Sequence, residues 1–278
     1  LIRAAEAVAN SARIARNEGL LGDWSLRLGD GSPTPMLSTG DLSTIEGIVA
    51  EFGGTFVSDV FGENLGSAAG HNRLARSGTA EQLVILNPDG LMEPRLLTVM
   101  LQTVADDIGF IEARQVPLEH PKDYVEESGN TAWGSTACAM IPRALFEELD
   151  GFDADTFFLY CDDVDFSWRV RLAGKRVVYQ PAARLFHDKR LTASGEWPSS
   201  PAERYYSAEA ALLLAYKYSR QDVLKRTLHA FERSHEAHLL KAHASFIARK
   251  EEGRLPAQLD PDHRVAMFVN GNYAHHRF

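Results

Sequence analysis

The apolar residues of this chain fall into two alternating periods. Ala4, Ala5, Ala7, Val8, Ala12, Ile14 and Ala15 recur at helical spacing, and Gly19 and Gly22 close that segment. Residues 24–28 alternate with the period of a strand and stop at the polar turn Gly29-Asp30-Gly31-Ser32. The pattern then predicts a helix over 42–52, a strand over 55–60 and a helix over 64–77. Residues 83–86 form a short continuous apolar run of the buried-strand kind. Asn87-Pro88-Asp89 follows it, and then a helix over 94–105.

Strand and helix therefore alternate from Trp24 to Ala105, which argues for an α/β fold with a mostly parallel sheet flanked by helices. In such sheets ligands bind beyond the carboxyl ends of the strands. The polar segments at 30–32, around Asn64 and at 87–89 follow or adjoin such ends, so they are expected to converge on one crevice. Residues 109–133 carry Pro117, Pro121 and Gly129 and read as loops. Beyond them the pattern predicts a strand over 137–141, a helix over 142–149 with proline in its first turn, and a helix over 162–173. Residues 177–179 and 184–186 read as separate short strands. Residues 198–201 read as a linker, and 202–249 as two helices meeting near Ser219. Nothing in the pattern assigns 255–278.

Composition narrows the class. The 278 residues are 45% apolar and 24% charged, which excludes a disordered chain, a collagen-like fibre and a coiled coil. Two cysteines, Cys138 and Cys161, exclude a disulfide framework and a Cys-rich zinc site, and point to a reducing cytoplasm. With 29 Lys and Arg against 38 Asp and Glu the net charge is −9, so the electrostatic footprint of a nucleic-acid binder is missing. No apolar run approaches the roughly 18 residues of a membrane span, and residues 1–10 do not follow the charged-then-apolar order of a signal peptide.

The candidate chemistry lies in carboxylates at element ends. Asp89 follows a buried strand, where a carboxylate is costly unless paired, hydrogen-bonded or bound to metal. With Asn87 it offers the oxygen ligands that suit Mg²⁺ or Mn²⁺; it equally fits an Asn-Pro-Asp-Gly turn. Asp162, Asp163 and Asp165 crowd one predicted helix start, where mutual repulsion can raise one pKa and make a base. Helix capping and dipole complementation explain the same cluster. His187 ends a predicted strand, as a metal ligand or as a hydrogen-bonded histidine. Trp168 reads as core, Arg169 as a partner for a nearby acid and Cys161 as packing. His229, His235, His238 and His243 fall near helical spacing and read as a solvated face.

Taken in order, these pieces resemble the family 2 glycosyltransferases of the GT-A fold, with rhamnosyl- and galactofuranosyltransferases closest in motif style. Residues 61–72 (FGENLGSAAGHN) resemble the family's N-x-G-x-x-x-x-N segment, and 83–89 (LVILNPD) its strand ending in a DxD-like motif. Residues 134–160 resemble the stretch leading to the acceptor site. Residues 161–187 carry D-D-V-D-x-x-x-R, then A-G, then P-x-A-x-x-x-H. The resemblance spans 24–187. It implies inverting transfer from a nucleotide-diphosphate sugar, of the dTDP-rhamnose or UDP-hexose type, to a glycan or glycolipid hydroxyl. It assigns Asp30 to the nucleotide, Asn64 and Asn72 to the segment beside it, and Asn87 and Asp89 to the metal motif. It makes Asp163 the general base with Asp162 beside it, and gives His187 the completion of a Mg²⁺ or Mn²⁺ site. On that reading Trp133 is an aromatic wall for a sugar ring or, equally, a core residue, and Asp165 a further candidate on the acceptor side. It divides the chain into a glycosyltransferase domain at 1–198 and a helical extension at 199–278. In the family such extensions often pack under the catalytic domain, touch the inner membrane surface or pair subunits.

The sequence departs from that family in three places. The family's apolar first strand does not precede the helix at 1–15, so roughly 15 to 30 further upstream residues are expected. Asn87 stands where a first acid is common, and Asp162 where many members have Glu. Two other functions fit parts of the pattern: a catalytically inactive nucleotide-sugar-binding protein, and a two-carboxylate glycoside hydrolase, which needs an acid and a base flanking a sugar bond.

Overall fold

A computed structural model of the chain describes residues 1–119, 121–189, 191–193, 198–269 and 271–273. The first part runs α1 (Ile2–Asn17), β1 (Ser25–Asp30), α2 (Thr39–Glu51), β2 (Thr55–Val60), α3 (Gly66–Arg76), β3 (Gln82–Leu86), β4 (Gly90–Met92) and α4 (Leu96–Thr103). It continues with β5 (Ile108–Val116), β6 (Cys138–Pro142), α5 (Arg143–Glu148), α6 (Asp162–Leu172) and β7 (Arg176–His187). Helices α7 (Pro201–Lys217), α8 (Gln221–Glu232) and α9 (Ala237–Glu251) follow.

The α/β expectation holds, but the strand pairing is more mixed than the alternation suggests. β1 and β2 pair in parallel as a ladder of their own. The other strands form one sheet in the order β3-β6-β5-β7-β4. Only β5 and β7 are parallel in it; β6 runs antiparallel to both β3 and β5, and β4 antiparallel to β7. The reason is that the strand–helix alternation stops after α4, and β6 enters from a long irregular segment instead of a crossover helix.

That sheet is covered on both faces, and period-two burial assigns its residues to two cores. Cys138 and Met140 of β6 join Ile111, Ala113 and Leu185 against α1 (Val8, Ala12, Ala15) and α4 (Leu96, Leu97, Met100). Ala139 and Ile141 face the other way, with Phe110 and Val177, against α3, α5 and α6. Leu26 of β1 and Val84 and Leu86 of β3 border the first core without a ladder joining their strands among the described residues.

Two sequence expectations fail here. The stretch read as loops from Gly109 begins with β5, the buried centre of the sheet. Its hydrophobic run is interrupted by Glu112 and Gln115, which are themselves buried. The two short strands expected near Tyr179 and Leu185 are one strand, β7. Pro181 is accommodated because residues 181–183 bulge out, between Gln180 opposite Ala113 and Arg184 opposite Arg114.

The helical segment expected as a pair breaks at Ser219, with φ of 58°, and again before α9. Helix α7 is buried nearly all round (Ala208, Leu212, Leu213, Leu214) because it lies between α6 and the α8–α9 layer. Trp168 of α6 meets Tyr218 edge-on at 4.7 Å. The unassigned C-terminal stretch packs on this core through Leu255, Leu259, Val265, Ala266 and Phe268; residues 274–278 lie outside the described ones.

Candidate active site

Asp30 ends β1. Its carboxylate accepts from the backbone of Ser32 at 2.9 Å and of Met36 at 2.8 Å, and these bonds hold its pKa below the ordinary range. The turn after it meets the start of α3: a Cβ on Gly31 would touch the backbone of Glu63 and Asn64. Asn64 accepts from the Gly66 amide at 3.0 Å and shapes that turn. Gly66 has φ of 75°, and a Cβ there would collide with the Phe158 carbonyl, so only glycine lets α3 come this close to the segment before α6.

Ser67 makes the connection on the other side. Its amide donates to the Phe158 carbonyl at 3.0 Å, and its hydroxyl donates to the Asp162 carboxylate at 2.8 Å. Tyr160 and Cys161, both at positive φ (67° and 62°), turn the chain sharply into α6. Asp162 and Asp163 thereby occupy the first turn of α6, where the helix dipole favours negative charge. Asp162 is buried, whereas Asp163 is partly exposed and accepts from the Val164 amide at 2.8 Å. Burial, and then the charge of Asp163, push the Asp162 pKa up to about 7 against the pull of the Ser67 hydroxyl.

A pH effect follows. An acid with a folded pKa above its unfolded value keeps a proton that the unfolded chain has released. Asp162 therefore contributes stability at about pH 4 that is lost as pH rises to about 7. Glu112, which burial also pushes up to about 7, titrates in the same window. The Asp162→Asn variant is expected to lose only its own share of the fall in melting temperature between pH 4 and pH 8. Parallel slopes for the two proteins would refute the shift.

Asp89 and His187 meet from β3–β4 and the end of β7. His187 Nε2 lies 3.1 Å from one Asp89 carboxylate oxygen. His187 is 6% exposed, whereas the Asp89 side chain is more than half exposed, so the pair opens outward. Neighbouring ligands on an octahedral ion with bonds of about 2.1 Å stand about 3.0 Å apart, close to this spacing. The donor set thus fits Mg²⁺ or Mn²⁺, but two protein ligands do not fill a coordination shell. Among the described residues no cluster of three or more His, Cys, Asp or Glu is arranged for a metal. The rest of the shell would come from water or substrate oxygens. Asn87 closes the turn, accepting from the Gly90 amide at 3.0 Å through its backbone carbonyl.

Three expected site residues do other work. Asn72 is buried, and its amide is consumed by Phe152: Nδ2 donates to the carbonyl at 2.7 Å and Oδ1 accepts from the amide at 2.8 Å. It clamps α3 to the α5–α6 connection. Asp165 is fully buried, pairs with Arg169 at 2.8 Å and Lys217 at 2.6 Å, and accepts from the Tyr218 hydroxyl at 3.0 Å. Trp133 is buried, with the Lys122 ammonium 4.1 Å from its ring centre and Tyr273 edge-on at 5.3 Å. Neither Asp165 nor Trp133 presents the open face an acceptor contact needs.

Sequence reasoning missed Ser67, Gln115 and the buried Glu112–Lys122 pair. Gln115 lies behind the metal candidate, its Oε1 2.8 Å from His187 Nδ1. The one signal in the sequence was polar residues inside an apolar run.

No family model matches the chain. It is 32% identical over 87 residues to an N-acetylglucosaminyl-diphospho-decaprenol L-rhamnosyltransferase of Mycobacterium tuberculosis, covering 31% of this chain and 27% of that protein. The match thus spans about a quarter of the curated relative's length. Among solved structures, GalNAc-T7 with UDP, GalNAc and Mn²⁺ superposes with a TM-score of 0.57 at 11% identity, over 84% of this chain and 52% of that one. S. aureus TarS superposes with a TM-score of 0.53 at 14% identity, over 89% of this chain and 40% of that one. The chain therefore carries the GT-A glycosyltransferase fold, and its local similarity to a rhamnosyltransferase agrees with the family 2 resemblance of its motifs.

Proposed function

We propose that this chain is the catalytic part of a glycosyltransferase. It moves a sugar from a nucleotide-diphosphate donor, of the dTDP-rhamnose or UDP-hexose type, to a hydroxyl of a glycan or lipid-linked glycan, with inversion. The observation that carries the reading is the Asp89–His187 pair: side chains 98 positions apart in sequence, brought together at strand ends and open to one side. The relative's name specifies a diphospho-decaprenol-linked sugar, which favours a lipid-linked acceptor here and a reaction at the cytoplasmic face of a membrane. No helix among the described residues is long and apolar enough to cross a membrane.

The chemistry needs two services. Asp163 takes the proton of the acceptor hydroxyl as that oxygen bonds to the anomeric carbon. The bond from that carbon to the diphosphate oxygen breaks, and its electron pair leaves on the nucleoside diphosphate. A divalent ion held by Asp89 and His187 would supply neutralisation of the charge growing on that leaving group. Asp30 and Asn64, at adjoining turns, are positioned to border the nucleotide. Single displacement needs no protein nucleophile, in keeping with two buried cysteines, one of them, Cys138, pushed up to about 12 by burial.

Thermal unfolding with UDP, dTDP and GDP, each with and without Mn²⁺, tests this directly. A ligand at about 100 times its dissociation constant adds about 2.7 kcal/mol, a shift of several degrees for a chain of this size. One nucleotide is expected to give a Mn²⁺-dependent shift that Asp89→Ala abolishes. No shift with any nucleotide would overturn the reading.

A further inference from the structure

We infer that Gln115 is a positioning residue that fixes the tautomer of His187 and so prepares Nε2 for a divalent cation. The inference rests on reading Asp89 and His187 as a metal pair, and it concerns a residue on a strand that the sequence pattern did not reveal. Gln115 is 1% exposed, the next-to-last residue of β5 and paired with Leu185 near the end of β7. Its backbone amide donates to Glu119 at 2.7 Å, which holds the chain there, and its Nε2 lies 3.4 Å from the Ser135 hydroxyl.

The orientation of its amide follows from Lys189. The Lys189 ammonium lies 2.6 Å from Gln115 Oε1, and an ammonium only donates. The atom facing it must be the carbonyl oxygen. That same oxygen is 2.8 Å from His187 Nδ1, so Nδ1 must carry a hydrogen.

This decides a competition within the ring. A neutral imidazole has one N–H, and His187 stands between two acceptors: Gln115 Oε1 at Nδ1 and the Asp89 carboxylate at Nε2. Asp89 is the charged acceptor and would draw the hydrogen to Nε2, the atom that faces the proposed ion. A nitrogen that carries hydrogen has no lone pair for a metal. Gln115 opposes that draw and keeps Nε2 free, as the outer partners of metal-ligating histidines generally do.

The test has readouts that need no turnover. In protein labelled with ¹⁵N-histidine, at a pH where His187 is neutral, the wild type is expected to show Nδ1 protonated and Nε2 bare. In Gln115→Leu the hydrogen moves to Nε2. Mn²⁺ affinity, read from the free-ion EPR signal, falls by roughly 10- to 100-fold in Gln115→Leu. It stays within a few-fold of wild type in Gln115→Glu, which keeps the acceptor. An unchanged tautomer in Gln115→Leu would overturn the inference, as would unchanged Mn²⁺ affinity in a wild type that binds the ion. If Gln115→Leu does not fold, Lys189→Met carries the test: freed of the ammonium the amide can turn over, and an unmoved tautomer counts against the role. Failure of the metal reading looks different. There Mn²⁺ binding is absent, or is unchanged in His187→Ala, whatever the tautomer does.

Discussion

Replacing Asp163 with asparagine is expected to slow sugar transfer by roughly 10²- to 10⁴-fold while nucleotide affinity stays near wild type. The substitution keeps the shape of the side chain and an oxygen for the Val164 amide, so the first turn of α6 survives. What is lost is the capacity to take a proton. The neighbouring acid cannot replace it easily. Asp162 is 3% exposed, receives the Ser67 hydroxyl and is pushed up to about 7, so its oxygens are committed inward. Asp162→Asn is therefore expected to cost much less in turnover and to register mainly in the pH dependence of stability. Single-turnover rates with donor and acceptor, beside nucleotide binding on the same preparations, measure both. If Asp162→Asn abolishes transfer and Asp163→Asn does not, the base is Asp162 and the assignment is reversed.

The residues that carry this argument were unequally legible in the sequence. Asp30, Asp89, Asp163 and His187 stand at ends of elements that hydrophobic period announces, and the roles proposed for them come from motif order. β5 was hidden because a central strand normally reads as an unbroken apolar run. Here Glu112 and Gln115 interrupt it, and each meets partners outside the strand: Lys122 for one, His187 and Lys189 for the other. Such partnerships lie in the fold, not in the local pattern. Asn72 is the same case: its motif put it in the segment beside the nucleotide pocket, and the partner of its amide, the backbone of Phe152 80 positions away, is not legible in the local pattern. The direction of β6 was equally out of reach, since the run 138–142 pairs either way until its connections are known.

Asp165 shows how far a short acidic cluster divides its labour. Asp165→Ala is expected to cost about 3–5 kcal/mol of stability, a fall of roughly 10 °C in melting temperature, with transfer intact below that temperature. Asp165 lies in the same turn as the proposed base, but it faces the helical layer. There it neutralises Lys217 of α7 at 2.6 Å and Arg169 at 2.8 Å, and accepts from the Tyr218 hydroxyl. Lys217 keeps Asp153 at 2.6 Å after the change, and Arg169 keeps the Leu149 carbonyl at 2.7 Å, so their charges are not stranded outright. Arg169 already has one buried nitrogen, Nη2, without a partner, however, and the loss of Asp165 adds to that deficit. Replacing Asp165 and Lys217 together by leucine and methionine is expected to cost less than the sum of the single changes, because each single change leaves an opposite charge behind. Additive losses would mean the two are not coupled. A loss of transfer in fully folded Asp165→Ala would return Asp165 to the acceptor side as a candidate. The burial of its carboxylate between α6 and α7 argues that the loss will be in melting temperature alone.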